Sequence, residues 1–337
     1  MNKLILFIAA LTLTLVWINR EDVQQERYQY QGLTMGTSWH ASCVTNDETA
    51  SILQNAIASA LNEVDQAMST YKSDSEVSRF SKSSDGIEMS APSFYVVSVA
   101  LDIAKKTNGA FDPTVMPLVE MWGFGPGPER QGAPTNAEIA VALKNCGWQH
   151  VLLSTDSFFI GKDIPKLQLD LSAIAKGYGA DNVASALENQ GVSNYMIEVG
   201  GEIRAKGHSE KHRPWRLAID SPNDENYSRI LELSNGAIAT SGDYRNTRMI
   251  DGKIISHTIN PRSGMPVTHN LASVSIIAEN CTIADAMATA CMVLGADYGM
   301  NLIESVDGVE AYFITRTNDK EFSTTESSGF PQALNLD

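Results

Sequence analysis

Hydrophobic residues recur along this chain with two spacings, which predict a mixture of helices and strands. Between residues 50 and 68, Ile57, Leu61, Val64 and Met68 lie three or four positions apart, so they share one face of an amphipathic helix. Further helices are predicted near 93–107 and 136–145, with a short one before residue 80. Alternation predicts strands near 33–45, 151–154, 157–160, 214–220, 236–241, 253–260 and 272–278, and two more joined across Gly200-Gly201. No linker interrupts these elements, so they predict one α+β domain.

The last long helix, predicted over residues 280–295, carries polar residues among alanines. Asp285 and Thr289 are four residues apart and therefore share one face, where a carboxylate and a hydroxyl oxygen could hold a hard cation such as Mg²⁺. The competing interpretation is a capping box, in which Thr282 and Asp285 only satisfy open backbone N–H groups at the helix start. Both interpretations fit the local sequence.

A change of hydrophobic period predicts that a strand passes into a helix near residues 170–173. A helix N-terminus attracts anions, and Lys176 adds a full positive charge in the first turn. This junction therefore suits a phosphate group. The alternative is that Asp170 or Ser172 only caps the helix and Lys176 is solvated.

The N-terminus has the composition of an export segment. Lys3 precedes an apolar run over residues 4–18, and polar residues follow, which predicts a signal peptide or membrane anchor at 1–19. A tether at 20–32 and a folded domain at 33–337 complete the predicted organisation. The first cysteine is Cys43, so no lipidated cysteine lies near the signal. We expect the protein at the periplasmic face of a bacterial inner membrane, or in the periplasm if the segment is cleaved.

The composition is that of an ordinary globular protein, and its charge narrows the range of partners. Among 337 residues, 43% are hydrophobic and 19% charged. The net charge of −15 repels nucleic acid, and no basic stripe overcomes that repulsion. Nucleic acid is therefore excluded as a partner, whereas one dinucleotide needs only a local metal, a lysine or a helix N-terminus.

The four cysteines, Cys43, Cys146, Cys281 and Cys291, are widely spaced and form no C-x-x-C pair. This spacing indicates neither a zinc site nor a small disulfide scaffold. We expect them to be small buried side chains, although an exported protein could join two of them.

Eight short motifs occur in an order that resembles a known family. They are Met35-Gly-Thr37, Tyr71 with Ser75-Glu-Val-Ser-Arg-Phe80, Gly109-Ala-Phe-Asp-Pro113, Trp122-Gly-Phe-Gly125, Asp170-Leu-Ser-Ala-Ile-Ala-Lys-Gly177, Glu198-Val-Gly-Gly201, Ser256-His-Thr-Ile-Asn-Pro261 and Ala284-Asp-Ala-Met-Ala-Thr289. Over roughly residues 33 to 315 the order and spacing resemble the ApbE family, the FAD:protein FMN transferases. The resemblance implies a single ApbE-like α+β domain, related to the T-fold, with mixed or antiparallel sheets and packed helices.

The activity implied by this resemblance is Mg²⁺-dependent and uses FAD as its substrate. Such an enzyme splits the diphosphate of FAD, moves the FMN half onto a threonine or serine hydroxyl of an acceptor protein, and releases AMP. The implied acceptors are flavin-carrying subunits of membrane redox pumps. Family members are typically exported, which agrees with the N-terminal segment. Many Gram-negative members attach through a lipidated cysteine, which this chain lacks.

The resemblance also implies site residues from opposite ends of the chain. The implied Mg²⁺ ligands are Asp285, Thr289 and the backbone carbonyl of Ala173, together with Ala288. The implied FAD contacts are Met35, Tyr71, Ala110, Phe111, Asp112, Asp170, Lys176 and Ile259. His257 matches the histidine of the family and is the candidate general base, because an imidazole near neutral pKa suits removal of a hydroxyl proton. Asp285 could influence that proton transfer through the metal.

Some of these residues have simpler interpretations. A lone histidine such as His257 is more often a surface or hydrogen-bonded residue. Tyr71 and Phe111 could stack on the flavin or adenine rings, but ordinary core packing is a serious alternative for Phe111.

Two other functions compete with transfer. A Mg²⁺-dependent FAD pyrophosphatase would use water in place of the acceptor hydroxyl and give FMN and AMP. A non-catalytic periplasmic FAD-binding protein would need Asp170 and the aromatic residues, but it has no need of Asp285, Thr289 and His257 together.

Overall fold

The computed structural model describes residues 25–127, 130, 132–222, 227–244, 246–318 and 321–334. The helices in these ranges are α1 (Asp47–Met68), α2 (Glu76–Lys82), α3 (Ala91–Lys106), α4 (Met116–Met121), α5 (Asn136–Leu143), α6 (Ala175–Asn189), α7 (Cys281–Leu294) and α8 (Ala296–Ile303), with a 3₁₀ turn at Trp148–His150. The predicted export segment at 1–19 lies outside the described residues. No helix within them is long and apolar enough to cross a membrane.

The strands form one large sheet and several small ones. They are β1 (Glu26–Thr34), β2 (Thr37–Thr45), β3 (Gly86–Glu88), β4 (Val151–Ser154), β5 (Phe159–Lys162), β6 (Tyr195–Val199), β7 (Glu202–Lys206), β8 (Trp215–Asp220), β9 (Tyr227–Leu233), β10 (Asn235–Gly242), β11 (Thr247–Ile250), β12 (Lys253–Ser256), β13 (Ile259–Asn260), β14 (Met265–Pro266), β15 (Leu271–Ala278), β16 (Glu310–Arg316) and β17 (Phe322–Glu326). The large sheet has the order β1-β2-β6-β7-β10-β15-β16-β17, and every neighbouring pair in it is antiparallel. The predicted α+β class with antiparallel sheets is confirmed.

Each face of the large sheet has its own hydrophobic core, because successive side chains of a strand point to opposite sides. On β10, Ala237 and Ala239 pack in the main core with helices α1, α6 and α7, whereas Ile238 packs in a second core. That second core lies under the β8–β9 hairpin and includes Trp215 and Leu231. The helices that carry the candidate site therefore cover one face of the sheet only.

The N-terminal part of the domain differs from the prediction. The strand predicted over 33–45 contains β2, the turn before it and the last two residues of β1, and β1 and β2 pair as a hairpin with Thr34 opposite Thr37. Met35 and Gly36 both have positive φ, as a two-residue type I′ turn requires. The predicted tether at 20–32 was wrong for residues 26–32, which belong to β1. β1 is an edge strand in which the half-buried Tyr28 and Tyr30 alternate with the exposed Gln29 and Gln31, and this period of two is typical of a strand.

The glycine pair predicted to join two strands does so. Gly200 and Gly201 have φ of 64° and 106° and connect β6 to β7, with Val199 opposite Glu202. A Cβ at Gly200 would lie 2.8 Å from Thr37 Cγ2 and 3.1 Å from Lys176 Cδ. This turn therefore needs glycine for its backbone conformation and for its close approach to the start of α6.

Two further predicted strands also differ. The segment 253–260 does not continue the large sheet: β12 pairs with β11, and β13 pairs with β14. This region instead packs around Trp122, whose Nε1 donates a hydrogen bond to the carbonyl oxygen of Gly264 at 2.8 Å. Residues 167–170 form no strand, and the Asp170 N–H donates to the carbonyl oxygen of Pro113 at 2.7 Å. The apolar period there reflects burial of a loop, which periodicity alone does not distinguish from a strand.

Candidate functional site

Asp285 projects from the second turn of α7 toward α6. The side chain of Asn280 caps α7 by accepting from Ile283 N at 2.9 Å, and Thr282 Oγ1 donates to Asp181 Oδ2 at 2.6 Å. The capping-box interpretation of Asp285 is therefore wrong. Oδ2 of Asp285 accepts instead from the backbone N–H of Gly177 at 2.9 Å, and the Asp285 side chain is almost fully buried.

The closeness of these two helices depends on Gly177. A Cβ at this position would lie 2.2 Å from the carbonyl oxygen of Cys281 and 2.8 Å from Asp285 Cβ, and both distances are shorter than any tolerable van der Waals contact. The first turn of α6 can thus meet the first turns of α7 because residue 177 has no side chain. The strand-to-helix junction and the late helix, predicted to meet in the site, are in contact.

Lys176 lies between two buried carboxylates. Its Nζ donates to Glu202 Oε1 at 2.7 Å and lies 3.9 Å from Asp285 Oδ1. Burial by itself lowers the pKa of the Lys176 ammonium, but Asp285 and Glu202 raise it above its ordinary value. Burial raises the pKa of Asp285, while Lys176 and the Gly177 N–H act in the opposite direction. Asp285 and Glu202 therefore keep Lys176 protonated, so the predicted positive charge lies at the helix start.

Glu202 is a member of this cluster that sequence reasoning missed. Burial raises the pKa of its carboxyl to about 8, with Lys176 opposing and Asp285 reinforcing the shift. A usable signal was present: a two-residue turn at Gly200-Gly201 places residue 202 opposite Val199, on the same face of the sheet. Because Val199 is an inward-facing apolar residue, the first glutamate of β7 has to face inward as well.

The other predicted metal ligands lie along α7 and in the turn before α6. Thr289 Oγ1 is 3.4 Å from Ser241 Oγ on β10, and Ala288 is fully buried with its methyl group in the main core. Ala173 is half-buried. Both alanines can offer a metal only a backbone oxygen. No group of three His, Cys, Asp or Glu side chains arranged to hold a metal exists in the described part of the chain.

These donors fit Mg²⁺ better than a softer metal. A carboxylate, a hydroxyl and backbone carbonyls are hard oxygen donors, and Mg²⁺ is commonly bound through one or two carboxylates together with the phosphates of a substrate. Among the described residues, Oδ1 of the buried Asp285 carboxylate accepts no hydrogen bond, and the Lys176 ammonium lies 3.9 Å from it. A bound cation would pair with the Asp285 carboxylate, and a diphosphate would pair with that cation and with the Lys176 ammonium.

Asp112 and Asp170 each organise a loop beside this cluster. Asp112 Oδ1 accepts from Thr114 N at 2.8 Å and from its hydroxyl at 2.6 Å. Asp170 Oδ1 accepts in the same way from the N–H and hydroxyl of Ser172, at 2.9 and 2.6 Å. Asp170 thus caps the turn that precedes α6, which begins at Ala175. Direct contact of either carboxylate with FAD stays a prediction.

The apolar residues predicted to contact FAD differ in exposure. Tyr71 is 73% exposed, so its ring is free to stack, whereas Phe111 is 2% exposed and packs in the main core. The alternative of core packing is therefore correct for the Phe111 ring. Ala110 is buried beside it, and Ile259 is buried in the small core around Trp122.

Met35 lies in the β1–β2 turn and reaches α6. A Cβ at Gly179 would be 3.0 Å from Met35 Cε, so the Met35 side chain lies against the first turns of that helix. Gly179 and Lys176 belong to the same two turns. The hairpin turn thus borders the predicted FAD site.

His257 lies at the end of the β11–β12 hairpin with one ring nitrogen engaged. Nδ1 is 3.0 Å from the carbonyl oxygen of Asn246, which also accepts the His257 backbone N–H at 3.2 Å. A carbonyl only accepts, so the neutral imidazole carries its proton on Nδ1 and leaves Nε2 as a base. Burial lowers the pKa of His257, the Asn246 carbonyl raises it, and Lys176 lowers it through its charge.

Comparison with known proteins identifies the family. The model of the ApbE family matches residues 35–313. The chain is 40% identical over 313 residues to an FAD:protein FMN transferase of Vibrio cholerae serotype O1, covering 90% of this chain and 93% of the relative. It is 38% identical over 311 residues to the FAD:protein FMN transferase of Escherichia coli K12, covering 90% of this chain and 88% of the relative.

Solved structures agree with these sequence matches. The flavin transferase ApbE from Vibrio cholerae superposes with a TM-score of 0.82 at 39% identity, covering 90% of this chain and 98% of that one. The apo form of the Pseudomonas stutzeri flavinyl transferase ApbE gives a TM-score of 0.82 at 35% identity, with coverage of 90% and 96%. The chain belongs to the ApbE family.

Proposed function

We propose that this chain is a Mg²⁺-dependent FAD:protein FMN transferase. The hydroxyl oxygen of an acceptor threonine or serine attacks the phosphorus of the FMN half of FAD. A new P–O bond forms to that oxygen, the P–O bond to the AMP phosphate breaks, and AMP leaves. The hydroxyl proton passes to a base on the enzyme. The names of the relatives support flavin transfer.

The observation that carries this proposal is the contact between α6 and α7. It brings Asp285 within hydrogen-bond distance of Gly177 and within 3.9 Å of the Lys176 ammonium. Asp285, Thr289 and the backbone oxygens of Ala173 and Ala288 would hold Mg²⁺, which when bound neutralises charge on the diphosphate.

The remaining roles belong to side chains of this protein. The Lys176 ammonium lies at a helix start, where it adds positive charge for an anionic diphosphate. Nε2 of His257 is the proton acceptor, because Nδ1 is engaged by Asn246. Tyr71 offers an exposed aromatic face to a flat heterocycle.

Transfer is tested by incubating the purified chain with FAD, Mg²⁺ and a candidate acceptor protein. We expect the acceptor to gain the mass of an FMN group while AMP appears in equal amount. A pyrophosphatase would release free FMN and AMP and leave the acceptor unmodified. Parallel reactions with a chelator, and with the acceptor hydroxyl replaced by alanine, serve as controls.

The Asp285→Ala variant separates an enzyme from a binding protein. Asp285→Ala removes the carboxylate that would hold Mg²⁺, and loss of one such electrostatic contribution costs about 10²- to 10³-fold in rate, so turnover should fall by at least that much while much of the flavin binding persists. FAD binding without turnover in both the wild type and the variant would favour a non-catalytic FAD carrier, and wild-type turnover in the variant would remove Asp285 from the catalytic site.

We also propose that the protein acts at the periplasmic face of a bacterial inner membrane, or free in the periplasm. The support is the apolar segment at residues 4–18. The proposed acceptors are flavin-carrying subunits of membrane redox pumps. Mass spectrometry of membrane proteins from cells with and without this chain should reveal the acceptor as a protein that loses an FMN adduct.

A further inference from the structure

Glu202 is a buried carboxylate with only one of its oxygens paired. Oε1 accepts from Lys176 Nζ at 2.7 Å, and Oε2 has no hydrogen-bond partner among the described residues although it is inaccessible to solvent. The residue as a whole is 3% exposed. An incompletely paired carboxylate in the interior costs free energy, so packing alone does not account for a glutamate here.

The position of the Lys176 ammonium is set by this glutamate. Lys176 Nζ makes a hydrogen bond to Glu202 at 2.7 Å, whereas its distance to Asp285 Oδ1 is 3.9 Å, beyond hydrogen-bond range. The ammonium is therefore held on the sheet side of the cluster, by the first residue of β7. Asp285, on α7, keeps Oδ1 free of any hydrogen bond from the lysine.

We propose that Glu202 is a positioning residue that keeps the Lys176 ammonium paired away from Asp285, so that the Asp285 carboxylate is available to the metal ion. This inference rests on the proposed role of Asp285 as a Mg²⁺ ligand. Without Glu202, Asp285 is the remaining carboxylate within reach of the ammonium. Their ion pair would then close from 3.9 Å to hydrogen-bond distance, and an incoming cation would have to displace the ammonium from Asp285.

Metal binding by the full chain, without FAD, tests the inference. Mn²⁺ serves as a paramagnetic probe of the Mg²⁺ site, and its bound fraction is measured anaerobically by electron paramagnetic resonance. The pH is the same for every variant, so that differences in the bound fraction report the substituted side chains.

The decisive comparison uses Glu202→Gln and the double variant Lys176→Met/Glu202→Gln. Because the ammonium, once bonded to Asp285, competes with the metal for that carboxylate, Glu202→Gln should bind Mn²⁺ about tenfold more weakly than the wild type. The double variant removes that ammonium as well, so its affinity should return to within about threefold of the wild type. A merely structural role predicts the reverse order, since the double variant loses two buried groups.

A second lysine–glutamate pair joins β7 and α6 and provides a matched control. Lys206 Nζ on β7 lies 3.0 Å from Glu188 Oε1 on α6, and both side chains are partly exposed. Glu188→Gln removes a lysine–glutamate pair between this strand and this helix at a distance from Asp285, and it should bind Mn²⁺ like the wild type. Near-ultraviolet circular dichroism verifies that each variant is folded.

Two outcomes would overturn the inference. In one, Glu202→Gln binds Mn²⁺ as tightly as the wild type; in the other, the double variant stays as weak as Glu202→Gln. Asp285→Asn separates this failure from failure of the proposed function. If Asp285→Asn retains wild-type affinity, the proposed metal role of Asp285 is wrong; if it loses affinity while Glu202→Gln does not, only the role of Glu202 is wrong.

Discussion

The backbone N–H of Gly177 donates a hydrogen bond to Oδ2 of Asp285 across 2.9 Å, which fastens the first turn of α6 to the second turn of α7. The two residues are 108 positions apart in the chain. This hydrogen bond fixes Oδ2 of the Asp285 carboxylate, and the other oxygen, Oδ1, faces Lys176 Nζ. The geometry of the proposed metal site therefore depends on how closely two helices approach.

Substitution of Gly177 by alanine should damage that approach. The new Cβ would meet the backbone oxygen of Cys281 at 2.2 Å, and because backbone cannot move aside cheaply, we expect a loss of about 1–3 kcal/mol in the free energy of unfolding. Denaturant unfolding measures this loss, and FMN transfer should fall with it. Gly179→Ala is the matched control in the same helix, because its Cβ meets only the ends of two side chains, Met35 Cε at 3.0 Å and Leu61 Cδ2 at 3.4 Å. Equal losses in both variants would show that the close approach at Gly177 is not limiting.

The pH dependence of transfer should report His257. Only the neutral imidazole accepts a proton, and burial lowers the pKa of His257 below its ordinary value of 6.5. The base form therefore persists to a lower pH than for an exposed histidine, and the rate should fall only as the pH drops below 6.5. His257→Ala should lose about 10²- to 10⁴-fold in rate, and its residual rate should lack this acidic limb. An unchanged acidic limb in the variant would assign the titration to another group.

Substitution by alanine should affect FAD binding at Tyr71 and protein stability at Phe111. Tyr71 is 73% exposed, so Tyr71→Ala should change the free energy of unfolding by less than about 0.5 kcal/mol. Loss of an aromatic stack should nevertheless weaken FAD binding by about 0.5–1.5 kcal/mol, which fluorescence titration of FAD measures. Phe111→Ala should instead lose about 3–5 kcal/mol of stability, because it leaves a cavity in the main core. Unaltered FAD affinity in Tyr71→Ala would remove that ring from the site.

The four cysteines should be free and slow to react in the native protein. All four are unpaired, and burial raises the pKa of Cys43 and Cys291 to about 12. Cys146 has a similarly raised pKa, from burial and from Asp112. Because the thiolate is the reactive form, Ellman's reagent near pH 8 should react slowly until guanidinium is added and then titrate four thiols. Fewer than four, recovered only after reduction, would indicate a disulfide.

Much of the site could be read from local spacing. The spacing of four positions from Asp285 to Thr289 places both on one helix face for any α-helix, because the period is set by backbone geometry. The Gly200-Gly201 turn likewise follows from glycine's tolerance of positive φ. The same turn, combined with the inward-facing Val199, also determines the inward position of Glu202.

Other features depended on partners that spacing does not reveal. Residues 26–32 are an exception, because Tyr28 and Tyr30 alternate there with glutamines and this period of two does indicate the strand β1. Residues 167–170 form a loop whose apolar residues are buried. A buried loop and a buried strand can have the same apolar residues, so the sequence does not distinguish them. For Phe111 the sequence leaves both a ligand stack and core packing open, because an aromatic side chain suits either surrounding, and the ring lies in the main core.

The sequence by itself determined the α+β class and most helices. It also determined two charged site residues, Lys176 and Asp285, and the position of His257 at a strand end. Only the tertiary structure decided that Asp285 bonds to Gly177 rather than caps its own helix, and that Glu202 holds the Lys176 ammonium. The physical reason is the separation along the chain of the residues that determine each feature. Helical period and turn conformation are set within a few residues, whereas the meeting of α6, α7 and β7 is set by the packing of both helices on one face of the sheet.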